Sequence, residues 1–410
     1  MHIAVFSTAY GTTSAAALRW YWLAAACAGN GARITLFHNS PDEPSRREMG
    51  VDSAYLTGPA SCVGKLSFRA LARIGSMLVP VVGPIGHFIR SAAYRYRRTP
   101  WEDQAANEFE KVHSRNGVDV IIGVCAPWAT AMAARDLSGR FGIPYLVEFQ
   151  DPWKDYFRRG SWRLHDGLAK RITKHAIALV NVCQPWCDKD ERDFGKTSIC
   201  VPNGFEPSLI PNNPSHFPGS LRLGCLGSIG YVGTSVLNEF CQGLKQVAHH
   251  DWSFIYVGSD HNLLKKVIRK WNLEEKVKIF PRVGQAEALQ MLAACDASVI
   301  LMHPQREAHL GSKFPEYVAT GVPVVLFGRR DEYVESHARK LTRTIVCEES
   351  RHLSETIGVL IEEKASHGQI QRQAQYDAIA ALSWKNISRK LLGALSRILQ
   401  KPYEDSICYS

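Results

Sequence analysis

The chain has 410 residues, of which 45% are hydrophobic and 21% are charged. This length exceeds one ordinary core and predicts two or three domains, each able to bury a large apolar surface. The composition argues against a low-complexity protein, and no uncharged run approaches the roughly 20 apolar residues that a membrane-spanning helix needs.

The eleven cysteines do not indicate a disulfide framework or a metal site. The opening stretch MHIAVFSTAY lacks the charged region of a secretory signal and is typical of a buried strand. The cysteine spacings, such as Cys183 to Cys187, do not form paired C-x-x-C sites. We therefore expect a cytoplasmic protein with reduced cysteines in its core and with no bound zinc.

Short apolar runs alternate with helix-period segments through the first half of the chain. The predicted strands and the two clearest helices are HIAVFS (2–7), a helix near 13–29, ARITLFH (32–38), VDVIIGV (118–124), a helix near 128–141, IPYLVEF (143–149), AIALVNV (176–182) and TSICVP (197–202). This alternation is typical of a parallel sheet with helices on both faces.

A stretch with five prolines, PNGFEPSLIPNNPSHFPGS (202–220), interrupts the pattern and indicates a domain boundary. The alternation restarts with LRLGCLG (221–227) and continues to RTIVC (343–347). We predict an α/β protein with doubly wound Rossmann-like domains at 1–203 and 221–382. A C-terminal helix is predicted at 383–402, and the first domain is its candidate packing partner. Ligands of such sheets bind beyond the carboxyl ends of the strands, which predicts a site in the cleft between the domains.

A glycine-rich turn, GSIGYVG, follows the strand LRLGCLG. Glycines let the backbone approach a ligand, and amides at a following helix start favour an anion. The spacing matches neither a P-loop nor the dinucleotide fingerprint. An ordinary strand-to-helix turn therefore remains an alternative.

The segment GSKFPEYVATGVPVVLFG (311–328) contains a lysine and a carboxylate on one predicted helical turn. We expect Ser312 to be the N-cap, with Lys313 in the first turn. A positive charge is unfavourable at the start of a helix, and an anion bound there would offset that cost. Glu316 could then accept hydrogen bonds from ribose hydroxyls. The alternative is a solvated i,i+3 pair.

Four stretches, in this order, resemble the family 4 GT-B glycosyltransferases, which are retaining enzymes that use nucleotide-sugars. They are VEFQDPW (147–153), VPNGFEP (201–207), LGSIGYVG (226–233) and GSKFPEYVATGVPVVLFG. The resemblance covers most of the chain and implies the GT-B fold, with an acceptor-side first domain facing a donor-binding second domain. It implies hexosyl transfer from a nucleotide-diphosphate sugar to a glycan or lipid-linked acceptor in cell-surface polysaccharide synthesis. It implies no cofactor beyond that donor.

The resemblance also implies roles in the second domain. Glu316 matches the second glutamate of the family's E-x7-E motif, which binds the ribose, whereas the first falls on Ala308. Arg282 or Arg306 would help a lysine of the site to neutralise the diphosphate, and Arg282 also follows the strand where family members often contact the base. The donor-site residues that the resemblance implies beside Glu316 are Lys313, Gly311, Ser312, Gly227, Gly230 and Arg282.

In the first domain, Gly11 and Thr12 match the loop that approaches the sugar and the acceptor. Asp151, in the QDPW turn with Trp153, is expected to orient an acceptor hydroxyl or act as a base, which makes Asp151 and Glu316 the two predicted catalytic carboxylates. A capped strand-to-helix turn and an Asp-Pro turn are the respective alternatives. No Asp-x-Asp metal motif is evident, so no metal is expected.

The net charge of +10 is concentrated in 64–98, which contains seven Lys and Arg residues and no Asp or Glu. Basic and apolar residues together suit a peripheral helix on the anionic inner face of the cytoplasmic membrane, and thus a lipid-linked acceptor. A solvated helix hairpin is the alternative.

No nucleic-acid-binding motif is visible. A nucleotide-sugar 2-epimerase and a non-catalytic glycan- or partner-binding paralogue are the competing functions.

Overall fold

The computed structural model describes residues 1–8, 15–39, 50–57, 100–125, 127–153, 162–212, 218–308 and 310–401. Two predicted features lie outside these ranges: the loop with Gly11 and Thr12, and the basic segment 64–98. The chain divides into two compact units, Met1–Pro202 with Trp384–Ser410 as the first and Asn203–Ser383 as the second.

The first unit is built on a parallel sheet. Its described strands are β1 (His2–Phe6), β2 (Arg33–His38), β3 (Val51–Tyr55), β4 (Val120–Cys125), β5 (Tyr145–Phe149), β6 (Ala178–Asn181) and β7 (Ser198–Cys200). Its described helices are α1 (Ala15–Gly29), α2 (Pro100–Asn116), α3 (Trp128–Phe141), α4 (Trp162–Thr173), α5 (Gln184–Phe194) and, from the end of the chain, α13 (Trp384–Leu399). The strand order is β3-β2-β1-β4-β5-β6-β7.

The central strands of this sheet are covered on both faces. All residues of β1 and β4 are buried, which explains why their sequences are continuous apolar runs. One face packs against α1 and α13, whose Leu23 and Leu391 belong to the same core cluster. The other face packs against α2 and α3. The edge strand β3 was not predicted, because its sequence VDSAY is largely polar and only Val51 is fully buried.

The second unit repeats the design. Its described strands are β8 (Leu221–Leu226), β9 (Trp252–Val257), β10 (Val277–Phe280), β11 (Ala297–Leu301), β12 (Val324–Phe327) and β13 (Thr344–Cys347). Its described helices are α6 (Gly233–Gln246), α7 (His261–Lys270), α8 (Gln285–Ala293), α9 (Phe314–Ala319), α10 (Glu332–Arg339), α11 (Ser350–His367) and α12 (Tyr376–Ala380). The strand order is β10-β9-β8-β11-β12-β13, and every pairing is parallel.

The strand order of the second unit locates its candidate site. The chain moves outward from β8 through β9 to β10 and then returns to place β11 on the other side of β8. In such sheets, ligands bind where the order reverses, outside the carboxyl ends of the strands. The glycine loop Gly227–Gly233 leaves β8 at this point. Within the described ranges, no helix is both long and apolar enough to span a membrane.

Candidate functional site

The glycine loop is held by a carboxylate from the next strand connection. Asp260 follows β9, and its Oδ2 atom accepts hydrogen bonds from Ser228 Oγ at 2.6 Å, Ile229 N at 2.7 Å and Gly230 N at 2.9 Å. Burial raises the pKa of Asp260, but these hydrogen bonds outweigh it and keep the pKa below its usual value. The amides that the sequence assigned to a ligand anion therefore bind an anion of the protein itself.

Close backbone packing supports the same loop. The Tyr256 hydroxyl donates to Gly227 O at 2.6 Å and accepts from Asp260 N at 3.0 Å. A Cβ atom at Gly258 would lie 2.1 Å from Gly227 O, so only glycine fits there. The Tyr317 hydroxyl accepts from Leu226 N at 2.5 Å. The end of β8 is thus fixed by groups from β9, its loop and α9.

Lys313 lies across this loop. Its amine donates to Ser228 O at 2.9 Å. Gly227 has a φ of +75°, and a Cβ atom there would lie 2.5 Å from Lys313 Cε, so the lysine side chain occupies the space that a larger residue would fill. Burial lowers the pKa of Lys313 below its ordinary value.

The prediction of Ser312 as N-cap is wrong. Helix α9 begins at Phe314, Lys313 is its N-cap, and no side chain caps it. Pro315 is the second helical residue, a position where its missing N–H costs nothing, and this favours a start at Phe314. The turn Gly311–Lys313 therefore precedes the helix, and Lys313 can direct its amine toward Ser228 rather than along the first helical turn.

Glu316 has a partner that the sequence did not reveal. The amide of Gln285, the first residue of α8, donates to Glu316 Oε1. Burial raises the pKa of Glu316 to about 7, although the Gln285 hydrogen bond and the Lys313 charge oppose that rise. Arg282 is exposed in the β10–α8 loop, three residues before Gln285. The only sequence signal for Gln285 was its place after a strand end.

The loop after β11 has a fixed backbone. His303 Nδ1 accepts from the amides of Gln305 at 3.1 Å and Arg306 at 3.0 Å, and the ring stacks on Tyr231. Ala308, at the first position of the E-x7-E spacing, is buried with a φ of +55° and donates its amide to Asp331 Oδ2 at 2.6 Å. A positive φ is unusual for alanine, and the Asp331 hydrogen bond stabilises it.

In the first unit, the two residues of the QDPW turn differ in their surroundings. Trp153 is 2% exposed and packs on Trp128, with ring centroids 4.5 Å apart, and on Phe149. Asp151 is partly exposed just beyond β5. Asp151 is therefore accessible at the carboxyl edge of this sheet, whereas Trp153 contributes to the core.

A buried carboxylate that the sequence pattern does not predict precedes that turn. Glu148 is fully buried, and it accepts from Arg19 at 2.8 Å and from Trp20 Nε1 at 2.5 Å. Arg19 also donates to the carbonyl oxygens of Val201, at 2.8 Å, and Pro202, at 3.0 Å. The pair therefore connects α1 and β5 to the chain beyond β7.

Within the part of the chain that the structure covers, no three His, Cys, Asp or Glu side chains come together as a metal site. The second unit instead offers a lysine, a carboxylate with a raised pKa and an exposed arginine at one edge of its sheet.

Residues 220–363 match the family model described as "Glycosyl transferases group 1". No curated protein sequence matches the chain. The match lies within the second unit and includes the glycine loop, Asp260, Lys313 and Glu316.

Solved structures resemble the whole chain. Sucrose-phosphate synthase from Thermosynechococcus elongatus has a TM-score of 0.68 at 14% identity, covering 97% of this chain and 99% of its own. HepE from Anabaena, in complex with UDP and glucose, has a TM-score of 0.67 at 16% identity, covering 97% and 100%. The lipopolysaccharide outer core galactosyltransferase WaaB has a TM-score of 0.59 at 11% identity, covering 97% and 99%. At these identities the likeness establishes a shared fold.

Proposed function

We propose that this chain, which has the GT-B fold and carries a group 1 glycosyltransferase domain in its second unit, transfers a hexose from a UDP-sugar to a glycan or lipid-linked acceptor. The structure of HepE with UDP and glucose supports the choice of uridine. The outer core galactosyltransferase supports a role in cell-surface polysaccharide synthesis. A retaining outcome follows from the resemblance of the sequence motifs.

The observation that carries the proposal is the placement of Lys313 and Glu316 at the switch point of the second sheet. Glu316 lies one turn after Lys313 and beside the β10–α8 loop, so a nucleotide could place its diphosphate at Lys313 and its ribose at Glu316. The exposed Arg282 would lie toward the base. Gly311 and Ser312 precede Lys313 and would contact the diphosphate through their backbone.

The leaving group determines what chemistry these residues supply. As the glycosidic bond breaks, negative charge develops on the departing diphosphate. A lysine that is already ordered and partly withdrawn from water stabilises that charge more than a solvated one, because little reorganisation is needed. The glycine loop Gly227–Gly233 contains no Lys or Arg, so Lys313 is the cation that we assign to the diphosphate.

The acceptor side of the proposal rests on the first unit. Asp151 is accessible beyond β5 and would orient an acceptor hydroxyl or act as its base. Gly11 and Thr12 would approach the sugar and the acceptor. Trp153 would act indirectly, by supporting the turn that presents Asp151.

Nucleotide-dependent thermal stability tests the donor assignment. Wild type, Glu316→Ala and the exposed control Glu332→Ala would be unfolded with UDP-, GDP-, ADP-, CMP- and dTDP-sugars. A donor at 100 times its Kd adds about 2.7 kcal/mol of apparent stability. We expect this shift with UDP-sugars in wild type and Glu332→Ala, and its loss in Glu316→Ala. No shift with any nucleotide would favour the non-catalytic alternative.

An activity measurement separates the two enzymatic functions. A transferase releases UDP in proportion to a glycosylated acceptor, whereas a 2-epimerase changes the sugar and keeps it on the nucleotide. Epimerised UDP-sugar without any acceptor product would replace the present proposal.

We also propose that the basic segment 64–98 contacts an anionic membrane surface and brings the protein to a lipid-linked acceptor at the cytoplasmic face. Its seven cations and aromatic residues support this. Flotation with anionic vesicles at low salt is expected to recover the protein, and neutral vesicles serve as the control. Absence of binding would leave the solvated hairpin as the better explanation.

A further inference from the structure

A single peptide group connects Asp260 with Lys313. The N–H of the Ser228–Ile229 peptide donates to Asp260 Oδ2 at 2.7 Å, and the carbonyl oxygen of the same peptide accepts from Lys313 Nζ at 2.9 Å. In a trans peptide these two groups point in opposite directions. The carboxylate and the ammonium therefore lie on opposite edges of one peptide plane.

The orientation of this peptide depends on Asp260. The same Oδ2 atom also binds the Ser228 hydroxyl and Gly230 N, so three donors on consecutive residues converge on it. Gly227, immediately before, has a positive φ and no side chain to restrict the turn. Without the carboxylate, the peptide could rotate and carry Ser228 O away from Lys313. Hydrogen bonds at both ends of a peptide also polarise each other and strengthen the arrangement.

We propose that Asp260 is a positioning residue for the donor phosphates, because its carboxylate fixes the Ser228–Ile229 peptide whose carbonyl oxygen holds the Lys313 amine in place. This inference rests on the proposed function, in which Lys313 meets the diphosphate. It also implies that the loop amides of Ile229 and Gly230 stay bound to Asp260 and do not contact the phosphates.

Binding of inorganic pyrophosphate and of UDP-glucose, measured by calorimetry on the full chain, tests this chain of contacts. Loss of one charge-assisted hydrogen-bond network of this kind corresponds to roughly a tenfold loss of affinity. We expect Asp260→Ala to weaken both ligands by about that factor. Asp260→Asn keeps an acceptor oxygen and should restore affinity to within about threefold. The exposed control Asp251→Ala should bind like wild type.

A double variant distinguishes positioning from general destabilisation. If Asp260 acts through Lys313, the variant with both Asp260→Ala and Lys313→Ala binds like Lys313→Ala alone, since coupled residues are not additive. A merely structural role would reduce the fraction of binding-competent protein while leaving its Kd unchanged. Additive losses, an unchanged Kd in Asp260→Ala, or tighter binding in that variant would each overturn the inference.

The rate of lysine labelling can be measured without any nucleotide, on Asp260→Asn as well as on Asp260→Ala. Reductive methylation followed by peptide mass spectrometry should modify Lys313 faster in Asp260→Ala than in wild type, and the exposed Lys340 should be modified equally in both. Equal Lys313 rates would overturn the inference. If Lys313→Ala leaves the affinity for both ligands unchanged, the phosphate assignment in the proposed function fails as well. If it weakens binding while Asp260→Ala does not, only the role of Asp260 fails.

Discussion

At the scale of single residues, Glu316 and Lys313 have perturbed acid–base properties in opposite senses. Burial raises the pKa of the Glu316 carboxyl to about 7 and lowers the pKa of the Lys313 ammonium. Both shifts bring titration closer to neutral pH. Ligand binding that needs an ionised carboxylate and a charged amine should therefore weaken at low pH, where Glu316 is protonated, and at high pH, where Lys313 loses its proton.

We predict a bell-shaped pH profile for UDP-glucose affinity. Below pH about 7, protonation of Glu316 removes the acceptor for the ribose hydroxyls, so affinity falls by up to about tenfold per pH unit. At alkaline pH, Lys313 loses its proton at a lower pH than an ordinary lysine does, and this loss of charge weakens the diphosphate contact. UDP-glucose is a suitable probe because its diphosphate has no terminal phosphate that titrates near pH 6.

Glu316→Gln provides the control for this profile. The glutamine cannot titrate, so the acid limb should disappear while the alkaline limb remains. An acid limb that persists in Glu316→Gln would assign it to another group.

A second residue-scale prediction concerns Gly227. Gly227→Ala places a Cβ atom 2.5 Å from Lys313 Cε on a residue with a φ of +75°. The lysine end must move, and the backbone is strained by roughly 1–2 kcal/mol. We expect weaker UDP-glucose binding together with a small loss of stability. Gly142→Ala, at a φ of +69° with nothing within 4 Å of the added Cβ, is the matched control: it strains the backbone in the same way and should leave binding unchanged.

At the scale of secondary-structure elements, the Arg19–Glu148 pair connects α1, β5 and the segment after β7. Both side chains are almost completely removed from solvent. Removing one partner of such a pair leaves an uncompensated buried charge. Removing one partner should therefore lower the free energy of unfolding by more than the intact pair contributes to it.

We predict that Glu148→Ala lowers the free energy of unfolding of the first unit by about 3–5 kcal/mol. Urea unfolding monitored by tryptophan fluorescence is the measurement, since Trp20 donates to the same carboxylate. Glu110→Ala breaks the exposed pair with Arg140 and should cost at most about 1 kcal/mol. Similar losses in the two variants would contradict the assigned role of burial.

At the scale of the whole molecule, the prediction of two doubly wound α/β units with the GT-B fold is confirmed by the sheet orders and by the similarity to sucrose-phosphate synthase. The matching family model lies within the second unit and includes the predicted donor residues.

A whole-molecule prediction concerns metal dependence. Because the proposed mechanism assigns charge stabilisation at the leaving group to Lys313, we expect sugar transfer to persist after treatment with a chelator. UDP release would be measured before and after chelation, and again after addition of Mn²⁺. Loss of activity that Mn²⁺ restores would show that a metal ion shares the role given to the lysine.

The sequence by itself determined the fold class, because buried parallel strands must be continuous apolar runs and their alternation with helices is a local pattern. It also supplied the prediction that Lys313 and Glu316 bind the donor, because both lie in one recognisable segment. It did not reveal the edge strand β3, whose polar residues give no such run, or the true start of α9.

Only the tertiary structure decided how the candidate site is held together. Asp260 meets the glycine loop 30 residues earlier, and Gln285 meets Glu316 31 residues later. These contacts depend on the order in which strands join the sheet, because that order brings the ends of β8, β9, β10 and β11 to one edge. Local sequence patterns report which residues are buried and periodic. They do not report which strand ends become neighbours, and so the partners of Lys313 and Glu316 appear only in the folded chain.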